Sequence, residues 1–316
     1  MDKREITLPT TKWGTLKSKY KPESNFVTND EFTAGSYNFL TNVNGAITKR
    51  PTDIVYNAAA FTNVAKDQFE AIFNNGTHHL LLMDGGSMKY STGDTLFHTV
   101  ASGYTAAASM EYCMFQNRVY FGDGVDTPGV YDITTTYGTV TYTPPLVRNM
   151  GATPPASAAA FVSTSGSTGV PTGSYYYKVT YVYYGFEESN GGIPSSVITV
   201  SAGPKNVNLS GIPQGGYGVT ARKIYRAADL GGGSIGPFLL VGTIADNAAL
   251  PGTFTDTSSA GSTPIPTSNN LPPVFSYIAL NLSRLWVAGV SGTPSELYWS
   301  SPGLPDLFNP DNSLQC

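Results

Sequence analysis

The sequence is poor in charge. Asp, Glu, Lys and Arg make up 13% of its 316 residues, about half of the ~25% usual in soluble domains. With 18 Lys and Arg against 22 Asp and Glu, the net charge is −4. A protein that grips nucleic acid through its phosphates shows a basic stripe and a high pI. The composition therefore excludes tight, charge-driven binding and leaves only loose contact with DNA.

Cysteine and long apolar runs are also scarce. Cys113 and Cys316 are the two cysteines, too few for a disulfide framework, and neither has a CxxC partner for zinc. We interpret Cys113, inside a strand-like run, as a small core residue. The N-terminal stretch MDKREITLPTTKWG lacks the apolar core of a secretory signal, and no run reaches the ~20 residues of a membrane span. We expect no membrane span and synthesis in a cytosol-like compartment.

No long segment has a helical period. In its place are 34 Gly, 22 Pro and 20 Tyr, together with runs such as YYYKVTYVYY and SVITV that suit a pleated surface. The sequence therefore predicts an all-β protein rich in turns.

One strand pattern recurs three times. Residues 68–91 (QFEAIFNNGTHHLLLMDGGSMKYS) predict three strands joined by an Asn-Gly turn and a Gly-Gly turn. Residues 110–132 and 276–301 repeat the arrangement, with turns at Gln116-Asn117 and at the NLS of 281–283. Units of three or four antiparallel strands repeating in this way are typical of β-propeller blades.

Histidines and arginines follow the first turn of each copy. Arg118 and Arg284 occupy this position in two copies, and we interpret them as turn-closing cations whose stems pack on the blade. The first copy has His78 and His79 there. Adjacent strand residues point to opposite faces, which is wrong for joint metal ligation.

The composition changes between the second and third copies. TPP at 153–155 and LPP at 271–273 bracket a segment rich in Ser, Thr, Gly and Tyr, with six short strand-like runs over about 100 residues, as in a β-sandwich of immunoglobulin or fibronectin type. Because the blade pattern resumes after it, we interpret this segment as an insertion whose two ends lie close together. The predicted plan is an N-terminal arm with the first propeller strand (1–60), propeller blades (61–151), an inserted β-sandwich (152–270) and a further blade (271–316).

No motif forms a catalytic constellation. GGGSIG at 231–236 has no following lysine, so it is neither a phosphate-binding loop nor a dinucleotide fingerprint. We interpret Glu187 and Glu188 as a solvated loop tip, and the turn aspartates as capping their own backbone (Asp123, Asp126, Asp132). The sequence predicts no enzyme, no metal site and no cofactor.

The N-terminal region carries a family resemblance. FVTNDEFTAGSYNFLTNVNGAITKRPTD resembles the start of phage tail nozzle and tail hub proteins, also described as tail tubular or packaged-DNA stabilisation proteins, in which Gly-x-x-x-(Lys/Arg)-Arg-Pro precedes propeller blades. SRLWVAGVSGTPSELYWSSPGLPDLFN resembles blades of phage virion proteins. The resemblance covers the N-terminal third and the last fifth of the chain.

The resemblance implies a structural protein of the virion tail or neck, made in the host cytoplasm. Its expected partners are other copies in a ring, portal or adaptor and tail proteins, a tail fibre contacted through residues 152–270, and passing DNA without sequence preference. Lys49 and Arg50 then have two interpretations. They contact a neighbouring subunit or DNA, or they guard an edge strand before Pro51, where the first propeller strand begins. We favour the second.

Two other function classes are open. Propellers and sandwiches also serve as carbohydrate-binding or adhesion modules, which would need exposed rings in the run Tyr175–Tyr184. A propeller glycosidase would need two carboxylates converging about 5 to 10 Å apart. Finally, propellers close with four to eight blades, whereas three copies are found. We therefore expect the propeller to be unfinished, so that more of the same polypeptide or another chain would complete it.

Overall fold

The computed structural model describes residues 39–41, 47–49, 61–93, 96–245, 247–248 and 252–315. The described residues contain 25 β-strands and no helix, in several antiparallel sheets. This confirms the all-β class. The chain divides into two compact units, Met1–Tyr56 and Asn57–Cys316. The finer predicted boundaries, at residues 151 and 270, stay a prediction.

The first unit contributes one hairpin. Strands β1 (Phe39–Thr41) and β2 (Ile47–Lys49) pair antiparallel, with Phe39 opposite Lys49. Lys49 is thus the last residue of β2, and Arg50 lies outside the described residues. The proposed contacts of this pair stay a prediction.

The second unit begins with two four-stranded meanders. The first meander is formed, in spatial order, by β3 (Ala65–Ile72), β4 (His78–Asp84), β5 (Ser87–Ser91) and β6 (His98–Ser102). The second meander contains four strands, β7 (Glu111–Phe115), β8 (Arg118–Gly122), β9 (Gly129–Asp132) and β12 (Leu146–Asn149), and β12 pairs with β9. Between β9 and β12 the chain forms a separate hairpin of β10 (Thr136–Tyr137) and β11 (Val140–Thr141).

The segment that follows forms two sheets around one core. The three-stranded sheet contains β13 (Ala160–Val170), β17 (Lys205–Ser210) and β21 (Phe254–Asp256); the six-stranded sheet contains β14 (Gly173–Tyr183), β15 (Glu187–Glu188), β16 (Ile198–Val200), β18 (Val219–Gly231), β19 (Ser234–Ile235) and β20 (Leu239–Ile244). Both sheets contribute to the shared core, for example Val207 and Leu209 from one and Tyr177 and Ile224 from the other. We call residues 152–270 the insert.

The last meander returns to the four-stranded pattern. It is formed by β22 (Tyr277–Asn281), β23 (Arg284–Ala288), β24 (Glu296–Ser301) and β25 (Leu304–Gln315). Its first turn places Leu282 and Ser283 at φ values of 49° and 57°, and the matching turn of the second meander places Gln116 and Asn117 at 48° and 63°. Two successive positive φ values define the type I′ turn of a tight hairpin, which confirms both predicted turns.

The three meanders stack face to face. The second meander packs Val119 and Phe121 against the first meander, and its opposite face packs Tyr120 and Val130 against the last. Glycine allows the close approach, because a Cβ on Gly122 would lie 2.6 Å from Cε2 of Phe275. The second meander therefore uses both of its faces in packing.

Each meander has a fourth strand that the repeat pattern did not predict. These strands are β6 (HTVAS), β12 (LVRN) and β25 (LPDLFNPDNSLQ). The sequence of β25 contains Pro305 and Pro310, which argue against a strand. Its pairing with β24 is irregular on both sides of Ser300, and such irregularities accommodate proline.

Candidate functional site

The buried charges concentrate where the second meander, the insert and the last meander meet. Strand β12 supplies Arg148, β15 supplies Glu187 and β25 supplies Asp306. The side chains of Arg148 and Asp306 are 9% and 0% exposed, and they form an ion pair. We call this cluster, together with Arg118, Asp132 and Tyr184, the junction.

Arg148 joins all three elements at once. Besides its ion pair with Asp306, its Nε donates to the Tyr184 hydroxyl (2.7 Å) and its Nη1 to the Asn149 carbonyl (2.6 Å). The other oxygen of Asp306 accepts from the Gly151 amide (2.6 Å). A guanidinium suits this role, because its fixed fork of donors can satisfy several acceptors in a buried place.

Glu187 lies at the same junction and is fully buried. Its Oε2 accepts a hydrogen bond from the Asp306 amide (2.9 Å). Burial, followed by the nearby charge of Asp306, raises the pKa of the Glu187 carboxyl well above its usual value. The predicted solvated loop tip is therefore wrong. Glu188 is also held, by Lys223 and by the Tyr225 hydroxyl (2.6 Å).

Arg118 forms the second half of the junction. Its Nε lies 3.1 Å from Oδ2 of Asp132, which also accepts from the Tyr137 hydroxyl. The guanidinium carbon lies 3.3 Å from the centre of the Tyr184 ring, within the range of a cation–π contact. Arg118 does close the turn, since it pairs with Phe115 across Gln116 and Asn117, but its guanidinium is also buried against Asp132 and Tyr184. Arg284 holds the same position in the last meander, and its Nη1 donates to the Ser300 carbonyl on the neighbouring strand (3.2 Å).

A group of tyrosine rings extends the junction. The Tyr217 ring packs against Tyr137 and Tyr142, with ring centres 5.1 and 4.8 Å apart, and Tyr137 lies 5.3 Å from Tyr184. The Tyr217 hydroxyl, from the insert, donates to the Thr134 carbonyl of the second meander (2.8 Å). Residues 134–142, which include the hairpin β10–β11, thus hold the insert through aromatic contacts and a hydrogen bond.

Both ends of the insert bond to strand β25. The Ala152 amide donates to the Asp306 carbonyl (3.2 Å), and Asn270 exchanges two backbone hydrogen bonds with Phe308 (2.9 and 3.0 Å). The attachment points are two residues apart on one strand. The two ends therefore lie close together, as predicted for an insertion.

Inside the insert, a second buried ion pair joins its two sheets. Arg226 of β18 pairs with Asp256 of β21, and the Tyr177 hydroxyl of β14 donates to the same carboxylate (2.8 Å). The Ser258 amide donates to its other oxygen (2.9 Å). The insert is thus tied internally as well as to the meanders.

The other residues singled out in the sequence lie apart from the junction. His78 is exposed beside Glu70, whereas His79 is buried beside Tyr131, which confirms their opposite faces. Cys113 is buried and free, and burial raises the pKa of its thiol. Asp123 accepts from the Val125 and Asp126 amides, which confirms its capping role.

The arrangement of the junction holds elements together. Glu187 and Asp306 are both fully buried, so a sugar does not reach this carboxylate pair. In the run Tyr175–Tyr184 every tyrosine is buried or half-buried. Among the described residues no group of three or more His, Cys, Asp or Glu could hold a metal ion, and no helix there is long and apolar enough to cross a membrane.

Sequence reasoning missed the junction because nothing local marks it. Arg148 and Asp306 are 158 residues apart in the chain, and Asp306 and Glu187 are 119 apart. The strand-like run LVRN carries Arg148 beside the polar Asn149, so its sequence gives no sign that this arginine is buried. No protein family model and no curated protein matches the chain.

Proposed function

We propose that this chain is a structural component of a bacteriophage virion, in the tail or neck around the DNA exit channel. There it acts in tail assembly, genome retention and DNA passage. The three meanders are blades of a β-propeller, and the insert is an immunoglobulin-like sandwich. Its partners are other copies in a ring, portal or adaptor and tail proteins, and a tail fibre reached through the insert.

The junction is the observation that carries this proposal. An insert joined to its host by two chain connections alone would swing about them. Here Arg148 and Asp306 link the second and last meanders, and Glu187 and Tyr184 add the insert through buried hydrogen bonds. Such a clamp suits a part that transmits force between neighbours in a particle, because a buried ion pair with several further hydrogen bonds favours one arrangement of the elements that it joins.

The charge of the chain supports the same role. A net charge of −4 over 316 residues gives the phosphate backbone little to bind, whereas a basic wall would hold DNA through counterion release. A β-rich wall of low charge would let DNA slide past.

Immunogold electron microscopy of the native particle tests the proposal. Antibodies raised against the purified chain are expected to label one vertex of the particle, at the tail or neck. In averaged images the labelled density should form a ring coaxial with the tail. Antibody preadsorbed with the purified chain serves as the control. Label spread over the capsid, or the chain found only free in the lysate, would refute the virion role.

A further inference from the structure

Three buried polar atoms at and beside the junction have no hydrogen-bond partner within the part of the chain that the structure describes. They are Nη1 of Arg118, the hydroxyl of Tyr120 and Oε1 of Glu187. Tyr120 and Glu187 are 0% exposed, and the side chain of Arg118 is 11% exposed. In folded proteins such atoms have a hydrogen-bond partner in the large majority of cases, so each of the three is expected to bind something.

Strand β8 brings two of these atoms to one face of the second meander. Arg118 and Tyr120 are alternate residues of β8, so their side chains lie on the same side of the sheet. Tyr120 packs in the core that the second meander shares with the last meander, and Arg118 lies against the Tyr184 ring of the insert. This face of β8 is therefore covered by the last meander at one residue and by the insert at the other.

The insert brings the third atom to the same place. Glu187 bonds through Oε2 to the Asp306 amide of the last meander, which leaves its Oε1 for another group. Burial, followed by the charge of Asp306, raises the pKa of the Tyr120 hydroxyl well above its usual value. Glu187 adds to this rise in the pKa of Tyr120, and Arg118 opposes it. Burial is also the largest influence on the pKa of Glu187, and the charge of Arg118 acts on it in the opposite direction. The three groups therefore lie within electrostatic reach of one another.

The chemistry of the three atoms decides what can bind between them. The Arg118 guanidinium can only donate, the Tyr120 hydroxyl can donate or accept, and the Glu187 carboxyl accepts when ionised and can donate when protonated. Both arginines of the junction are already paired with aspartates. A cation would face the donor of Arg118, and an anion would face the carboxyl of Glu187. A small neutral molecule that both donates and accepts satisfies all three atoms.

We propose that the second meander and the insert hold one buried water molecule between them, bound by Nη1 of Arg118, the Tyr120 hydroxyl and Oε1 of Glu187. The water accepts from Arg118 and bonds to the other two groups in the direction that the carboxyl proton sets. Buried waters typically make about three hydrogen bonds to groups that would otherwise lack partners. The water adds a bridge between β8 and β15 beside the direct contacts of the junction. The inference does not rest on the proposed virion role.

A crystal structure of the purified chain, at a resolution that shows ordered water, tests the site directly. We expect one peak of solvent density at about 2.5–3.2 Å from each of the three atoms. If the three atoms bond to one another or to other protein groups instead, the proposal is overturned. A peak with the anomalous scattering of a bound ion would overturn it as well.

Replacing Tyr120 with phenylalanine tests the site in solution, because the two situations predict effects of opposite sign. A buried hydroxyl that is bonded to water stabilises the fold, whereas removal of a buried hydroxyl that has no partner is neutral or stabilising. We expect Tyr120→Phe to lower the equilibrium constant for folding roughly 3- to 10-fold, as measured by urea unfolding. An unchanged or raised constant would contradict the proposed water.

Tyr112→Phe is the matched control. The Tyr112 hydroxyl also lacks a partner among the described residues, but Tyr112 packs towards the first meander, on the opposite face of the second meander from Tyr120. We expect Tyr112→Phe to leave the folding constant unchanged or to raise it. An equal loss in both variants would count against the site, since it would reflect the removal of any tyrosine hydroxyl from the second meander. Circular dichroism before unfolding establishes that both variants fold.

Discussion

Replacing Arg148 with alanine should loosen the insert from the meanders. The substitution leaves the fully buried Asp306 carboxylate without its cation and removes the donor to the Tyr184 hydroxyl. Breaking a buried ion pair by removing one partner costs about 3–5 kcal/mol. Against a total stability of about 5–15 kcal/mol for a folded domain, that is a large fraction.

Arg284→Ala is the matched control. This arginine also lies on a meander strand, but in the described contacts its guanidinium makes one hydrogen bond, to the Ser300 carbonyl (3.2 Å). Losing one such bond costs about 1 kcal/mol. Urea unfolding followed by circular dichroism would measure both variants, and hydrogen exchange of the amides of Gly151 and Ala152 would locate the loss.

Two further variants distinguish the loss of the ion pair from a general loss of stability. Asp306→Asn removes the charge that Arg148 neutralises. The double variant Arg148→Ala with Asp306→Asn should therefore lose less free energy of unfolding than the two single variants lose together. Arg148→Met with Asp306→Leu replaces the pair by apolar volume and should recover part of the stability. If the free energy of unfolding of Arg148→Ala lies within about 1 kcal/mol of that of Arg284→Ala, the junction does not hold the insert.

Three shorter predictions follow from the same structure. Burial raises the pKa of the Glu187 carboxyl in the folded protein. The contribution of this carboxyl to the stability of the fold is therefore fully present below about pH 4.5 and is lost as pH rises towards the folded pKa. Glu187→Gln should therefore gain stability relative to the native chain between pH 5 and pH 8, by up to about 1.4 kcal/mol per pH unit; equal slopes in unfolding titrations would contradict this. In a Cys316→Ser variant, the buried Cys113 thiol should resist Ellman's reagent until denaturant is added; rapid native labelling would contradict its burial. Gly129→Ala should destabilise the stack by about 1–3 kcal/mol, since its Cβ would lie 2.2 Å from Cζ of Phe121, whereas Gly216→Ala, with nothing within 4 Å, should change little; equal melting temperatures would count against the close packing.

The local features of the fold could be predicted from the sequence. Alternating apolar residues and tight turns identify three strands in each meander, because these signals act within a few residues. The fourth strands could not be predicted in this way. Strand β25 contains Pro305 and Pro310, and its pairing with β24 is irregular.

The junction could not be predicted because its partners are far apart in sequence. Glu187 in the run GFEESNGG has the local character of a solvated loop, and only the arrival of the Asp306 amide makes it a buried acceptor. Arg118 follows a turn, as a turn-closing cation would, yet its environment is set by Asp132 and by Tyr184 of the insert. Burial of a charge depends on which distant groups pack around it, and a local pattern does not contain that information.

The attachment of both ends of the insert to β25 has a consequence for biosynthesis. Ala152 and Asn270 bond to Asp306 and Phe308, which leave the ribosome only after the whole insert has been made. The insert can therefore collapse around its own core before its two ends bond to β25, and Arg148 waits in the nascent chain without its counter-ion. Docking is a late step, completed when the strand from Leu304 onward emerges. A chain that ends before Leu304 would lack the bonds to β25, and its insert would keep the contacts of Tyr184 and Tyr217 with the second meander.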